Sequence, residues 1–189
     1  MNDFTKLILV WLGIPTIGVL ISCILGYLAT HNKKNKEKGV YMIRGFEEVK
    51  EEFKKTEGSP ILPTRATKKA MAYDFYANKD YEVKPNEVCK IWTDVKAYMQ
   101  DNEGLILNVR SSMGGKFMLA NTLGYIDGDY YGNPNNDGNI GIFLLNISDT
   151  VQYIHKGDRI AQGMFINYLV ADNGNLENER TGGFGSTNK

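Results

Sequence analysis

From Gly39 onward the chain is built of short apolar runs separated by turn signals: VYMIRGF, AYDFYA, VCKIW, GLILNV, IGIFLLN and RIAQGMFINYLV. Runs this short, rich in Val, Ile, Tyr and Phe and broken by Gly, Pro and Asn, suit strands rather than helices, which need longer periodic stretches to bury a face. The pattern predicts an all-β sandwich or barrel. Twenty glycines in 189 residues fit a protein rich in tight turns. Two places stay ambiguous: FEEVKEEFKK from Phe46 reads as a short charged helix or as a strand with a solvated linker, and residues 95–99 read as one helical turn. The Asn/Gly-rich stretches 132–139 and 172–178 read as loops.

Before this β pattern stands residues 7–29, a run of 23 residues without a charge. At about 1.5 Å per residue a helix of that length crosses the roughly 30 Å hydrocarbon core of a bilayer. Pro15 and the internal glycines are tolerated in a membrane helix, and no small-residue cleavage pattern closes the run as a signal peptide would require. Leu20-Ile21-Ser22-Cys23 loosely matches a lipoprotein processing site, but Ile24, Leu25, Tyr27 and Leu28 continue the apolar run past it. Lys33, Lys34, Lys36 and Lys38 follow the span, and positive charge there puts the rest of the chain on the cytoplasmic side. The expected organisation is therefore a tail over 1–6, a single transmembrane α-helix over 7–29, a basic linker over 30–40, a β domain over 41–178 and a glycine-rich arm over 179–189.

Charge and cysteine usage exclude several functions. Lys plus Arg and Asp plus Glu are equal at 22 each, so no global basic field argues for nucleic acid. Cys23, Cys89, His31 and His155 are the only residues of their types and cannot furnish a zinc site of usual ligand count and spacing, nor a disulfide framework. The segment NTLGYIDGDYYGNPNNDGNIGIFLLN, from Asn121, is richer. It places Asp127, Asp129 and Tyr130 on a turn between two strand-like runs, 122–126 as half of a hairpin and 140–145 as a buried strand. A carboxylate ionised at neutral pH beside an aromatic platform can serve as a general base in a nucleotide pocket, or simply stabilise a turn.

Five segments occur in order: PTRATKKAMAYDFYA from Pro63, VRSSMG from Val109, the GYIDGDYYG turn, KGDRIAQGMF from Lys156, and ERTGGFGST near the end. In this order and spacing they resemble the five motifs of the trimeric dUTP pyrophosphatases, the dUTPases, over residues 42–189. The resemblance implies a jelly-roll-like distorted β-barrel assembled as a homotrimer with shared active sites, hydrolysing dUTP to dUMP and pyrophosphate. Asp127 then activates the water that attacks the α-phosphorus. The strand approaching it, with Asn121, Thr122, Leu123, Gly124 and Ile126, reads the uracil through backbone groups, and Tyr130 packs under the sugar. Arg110, Ser111, Ser112 and Gln162 correspond to phosphate contacts.

By the same resemblance the terminal strip is a closing arm, with Phe184 stacking on uracil and Arg180, Gly182, Gly183, Gly185, Ser186 and Thr187 meeting phosphates. Mg²⁺ is implied as a companion of the triphosphate, bound through phosphate oxygens and waters with no direct protein ligand. Asp74 is the first-motif aspartate, structural or a partner of the metal's waters. The sequence departs from the family pattern at Ala72, where glycine is usual, in the additional Asn-Pro-Asn-Asn-Asp turn after Gly132, and at Arg180, one position nearer the glycines than is common. Two other readings share the fold: a regulatory or protein-binding module, and a dCTP deaminase, which the TGGFGST and GYIDGDY segments fit less well.

Overall fold

A computed structural model describes residues 42–173. The proposed span over 7–29, its basic linker and the arm over 179–189 lie outside the described residues. Among the described residues no helix is long and apolar enough to cross a membrane.

The described chain forms eleven strands: β1 Gly45–Glu48, β2 Tyr73–Tyr76, β3 Tyr81–Val83, β4 Val88–Trp92, β5 Val95–Tyr98, β6 Glu103–Asn108, β7 Phe117–Leu119, β8 Gly124–Asp127, β9 Gly141–Asn146, β10 Gln152–Ile154 and β11 Arg159–Asn167. They pair antiparallel in four small sheets ordered β2-β11-β6-β8, β4-β9-β7, β1-β5 and β10-β3. Strict alternation drives the assembly. In β9 the side chains of Ile142, Leu144 and Asn146 point inward, and in β6 those of Glu103, Leu105 and Leu107 do. Phe75, Leu105 and Ile160 from the first sheet join Ile91, Ile142 and Leu144 from the second in one core cluster. Full burial of each such side chain contributes about 1.5–3 kcal/mol.

Three expectations require correction. Residues 122–126 are not half of a hairpin closed across the Asp127 turn: β8 pairs with β6, whereas 140–145, a buried strand as expected, falls in β9 between β4 and β7. Inward-facing Gly124 and Ile142 therefore belong to different sheets of the barrel. Residues 95–99 are not a helical turn, because β5 is extended against β1 with Glu47 opposite Lys96. Finally, only 124–127 of the expected base-reading strand is extended; Asn121 and Thr122 belong to the turn before it, where Thr122 adopts a φ of 67°. The stretch from Phe46 resolves as strand β1 followed by a single 3₁₀ turn at Glu51–Phe53.

The β4–β5 corner is fastened by Asp94, buried and in the left-handed region at φ 56°. Its carboxylate accepts hydrogen bonds from the backbone amides of Lys55 (2.8 Å) and Thr56 (3.0 Å) and from the Asn139 side-chain amide (2.9 Å). A buried carboxylate with several donors satisfies its desolvation cost without a cation.

Candidate active site

One sheet, β2-β11-β6-β8, carries Asp74, Gln162, Gly124, Ile126 and Asp127, and Arg110 follows its strand β6. At one end of it, Asp74 on β2 is buried with 5% exposure, and both its oxygens face guanidinium groups. Arg110 Nε donates to Oδ1 at 2.8 Å, and Arg159 Nη1 donates to Oδ2 at 3.4 Å. Arg110 also reaches Ser112 Oγ through Nη1 at 3.3 Å, immediately before the 3₁₀ turn Ser111–Met113 that exposes Ser111 and Ser112. Holding an arginine by Nε leaves its outer nitrogens directed away from the carboxylate, a geometry suited to phosphate oxygens.

Gln162 joins this group because of a β-bulge. Register shifts between Arg159 and Ala161, and Ile160 and Ala161 are both buried. Without the extra residue, alternation would turn Gln162 into the core. With it, Gln162 faces outward between Asp74 of β2 and Asn108 of β6, and its Nε2 donates to the Val109 carbonyl at 3.4 Å. Bulges near functional sites commonly re-aim a side chain in this way. Gly163 follows on the inner face, where an added Cβ would stand 2.8 Å from both Leu107 and Phe75. Asp74, Asn108, Arg110 and Gln162 together line a cavity of about 410 Å³.

Asp127 lies at the opposite end of the same sheet. It ends β8 opposite Gly104, is exposed, and lines a separate cleft of about 510 Å³ with Met99, Gln100, Asp129 and Tyr168. Gly124 and Ile126 turn inward, so the approaching strand can offer a ligand its backbone but not the Ile126 side chain. Tyr125, not anticipated from sequence, is 67% exposed on the same outer face as Asp127; alternation within GYID was the available signal. Leu123 is half-buried, while Asn121 and Thr122 are exposed.

Tyr130 ends the short 3₁₀ turn that follows Asp127. It is 5% exposed, and its hydroxyl donates to the Asn139 carbonyl at 2.9 Å. Asn136 Nδ2 donates to that hydroxyl at 2.6 Å, so the inserted Asn-rich loop folds back over the tyrosine. Gly157 and Asp158 form the expected turn before β11: Gly157 has φ 88°, and the His155 amide donates to the Asp158 carboxylate at 2.8 Å. Among the described residues no cluster of His, Cys, Asp and Glu could hold a metal ion. Phe184, Arg180, Gly182, Gly183, Gly185, Ser186 and Thr187 lie outside the described residues.

An antiparallel β fold with an arginine-bearing cavity at one end of a sheet and an exposed carboxylate at the other fits a hydrolase of phosphorylated ligands. The family model for dUTPase matches residues 59–188. A deoxyuridine 5'-triphosphate nucleotidohydrolase of Lactococcus lactis is 43% identical over 149 residues, covering 77% of this chain and 97% of the relative. Its counterpart from Yaba monkey tumor virus is 34% identical, covering 71% of this chain and 93% of the viral protein. The crystal structure of the Streptococcus mutans dUTPase superposes with a TM-score of 0.61 at 38% identity, covering 68% of this chain and 98% of that one. The chain belongs to the dUTPase family. Its activity is that of a dUTP nucleotidohydrolase, and the fold is the all-β dUTPase fold.

Proposed function

We propose that each active site is assembled between copies of this chain in a homotrimer, with Asp127 of one copy acting on a triphosphate held by Arg110, Ser111, Ser112 and Gln162 of another. The observation that carries this reading is the separation of the two groups along β6. Asp127 is opposite Gly104, Gln162 is opposite Asn108, and Arg110 follows two residues later. At about 3.4 Å per extended residue, Gly104 to Arg110 spans roughly 20 Å, far beyond the hydrogen-bond reach a general base needs to a water on the same phosphate. Both groups face outward, so a cyclic assembly can bring one end of the sheet to the other end of its neighbour's.

Asp127 accepts a proton from water as the water oxygen bonds to the α-phosphorus. The bond from that phosphorus to the α,β-bridging oxygen breaks, and pyrophosphate leaves with the bridging electron pair, giving dUMP. Arg110 neutralises phosphate charge and, fixed by Asp74, needs little reorganisation as charge moves onto the leaving group. The backbone of 121–126 reads the base edge, and the Tyr130 ring closes the floor beneath the sugar. The arm over 179–189 covers the nucleotide, with Phe184 on the base and Arg180, Ser186 and Thr187 on phosphates.

Mg²⁺ accompanies the triphosphate. A phage φ11 dUTPase structure of the same fold holds a structural Mg(II) ion, and a phage 80α relative has been seen with dUpNHpp. In this chain the Asp74 oxygens are engaged by two guanidiniums, so the donor set fits a metal carried on phosphate oxygens better than one held through Asp74. When bound, Mg²⁺ supplies charge neutralisation on the phosphates. The uncharged run over 7–29 and the lysines after it support a single-pass membrane tether with the catalytic domain in the cytoplasm. Removal of dUTP at that site keeps uracil out of DNA and supplies dUMP.

Pyrophosphate release from dUTP, dCTP, dTTP and UTP, with ammonia measured in parallel, tests selectivity; turnover confined to dUTP is expected. Asp127→Asn is expected to lower kcat by about 10³-fold or more, in line with removal of a group acting only in the transition state. Turnover within tenfold of the parent enzyme contradicts the assignment of the base. Alkaline carbonate extraction tests the tether: the intact chain stays with membranes, and its release refutes a spanning helix.

A further inference from the structure

The family match begins at residue 59, yet the segment before it is bonded to the loop that follows the 127–130 turn. Strand β1 lies on β5 with Glu47 opposite Lys96, and Gly45 passes so close to Tyr98 that an added Cβ would collide with the phenol oxygen. From this position three contacts reach the loop that follows Tyr130. The Tyr131 hydroxyl donates to Glu47 Oε2 at 2.6 Å, the Lys50 amide donates to Asp137 Oδ2 at 2.8 Å, and the Asn139 side-chain amide donates to the Phe53 carbonyl at 3.2 Å. Asp137 also receives Lys96 Nζ at 2.8 Å. The same loop holds the Tyr130 hydroxyl through Asn136 and Asn139.

This support matters because the turn itself is slight. Asp127 is followed by a single 3₁₀ turn, Gly128–Tyr130, closed by a long backbone bond from the Tyr131 amide to the Gly128 carbonyl at 3.4 Å. A general base misplaced by about 1 Å can lose on the order of 100-fold in rate. We propose that residues 44–56 form a clamp that positions the 127–130 turn for catalysis, with Glu47 and Tyr131 as its central positioning pair. The Tyr131 ring is set for that contact by Lys96, 4.8 Å from its centroid, and by the edge of Tyr98 at 6.3 Å. Its hydroxyl stays a donor through the working pH range, since the bond to Glu47 and then burial push its pKa up to about 12. Neither residue touches the substrate; they act through the turn. The inference rests on Asp127 being the catalytic base.

The test uses the full-length enzyme carrying Glu47→Ala, Tyr131→Phe, both changes, or Glu47→Gln, with Asp127→Asn alongside. Each single variant is expected to lower kcat by about 5- to 10-fold with KM within twofold, a modest displacement of the base rather than its loss. Because the pair shares one bond, the double variant should be no slower than the slower single one. Glu47→Gln keeps an acceptor oxygen and should recover at least half of the lost rate. Thermal unfolding and sedimentation check that each protein is folded and assembled at the assay temperature; if Glu47→Ala fails to fold, Tyr131→Phe, which loses one oxygen, carries the comparison. Single variants within twofold of the parent kcat, losses that multiply in the double variant, or losses confined to KM overturn the clamp. Those outcomes with Asp127→Asn inactive remove the clamp alone, whereas an active Asp127→Asn removes the reading of the base.

Discussion

Asp74→Asn keeps the side chain's shape and removes its charge, so it isolates what the two guanidinium contacts do. The Arg110 contact is short, 2.8 Å, between a carboxylate with 7% side-chain exposure and a guanidinium with 22%. A charge-assisted bond in such a setting contributes about 1.5–3 kcal/mol. The Arg159 contact is 3.4 Å and its side chain is 46% exposed, so solvent screening reduces it to about 0.5 kcal/mol. Asparagine can still accept one weaker bond, leaving a net loss of about 1.5–2.5 kcal/mol. For a domain of this size that corresponds to a fall in Tm of roughly 5–10 °C. The loss should also appear in binding: Arg110 freed from its Nε anchor must be ordered again by the substrate, raising KM for dUTP by about tenfold, equivalent to 1.4 kcal/mol. Circular dichroism melting and initial-rate measurements of pyrophosphate release give the two quantities. A Tm within 2 °C and a KM within twofold of the parent would refute the reasoning. A lowered Tm with an unchanged KM would show that Asp74 serves the fold and that Arg110 does not hold phosphate.

Gly163→Ala places a methyl 2.8 Å from Leu107 and Phe75, and overpacking of that degree should cost about 1–3 kcal/mol, read as a lowered midpoint in urea. An unchanged midpoint would mean that β11 has room the geometry denies. Stability should also depend on acid. Hydrogen bonding to Arg44 holds the Glu103 carboxyl below its ordinary value of 4.5; burial would raise Asp137, but Lys96 and the Lys50 amide outweigh it and hold that carboxyl below 3.8. Groups depressed on folding stabilise above their unfolded pKa, so both contributions are complete above about pH 5 and are lost as pH falls through the folded values. Lys96→Met leaves only the Lys50 amide to oppose burial at Asp137, so Tm should fall more at pH 7 than at pH 4; an equal fall at both would contradict the ion pair's role.

The all-β class was legible because short apolar runs bounded by turn residues are a local signal: GLILNV and IGIFLLN fall in β6 and β9, although nothing local announces the burial of Glu103 and Asn146 within those strands. The order of motifs likewise singled out Asp127, Arg110 and Gln162, which the structure places at opposite ends of one sheet. What could not be read was anything that depends on where distant segments meet. Asp74 and Arg110 are 36 residues apart, and nothing near either announces the other. The bulge at Ile160 and Ala161, which turns Gln162 outward, looks in sequence like two ordinary apolar neighbours. Residues 95–99 suggested a helical turn because their neighbour in space, β1, lies some fifty residues earlier in the chain. The Asn-rich stretch 132–139 reads in sequence as a loop, and nothing in it announces that Asn136 and Asn139 grip the Tyr130 hydroxyl. The contacts of 44–56 have no local signal for the same reason: Glu47 on β1, the Lys50 amide and the Phe53 carbonyl meet partners more than eighty residues later, with no motif of their own.

The most direct test of the shared site is complementation between two inactive variants. Asp127→Asn and Arg110→Ala should each abolish turnover as pure trimers. Dissociated, mixed in equal amounts and reassembled, they form sites in which one copy supplies Asp127 and another supplies Arg110. With random assembly, half of the copies offer the needed aspartate and half the needed arginine, so about one quarter of the sites, and of the parent activity, should return. Activity that stays at the level of the separate variants, in a mixture shown to contain heterotrimers, would place both residues' work within a single chain and contradict the account.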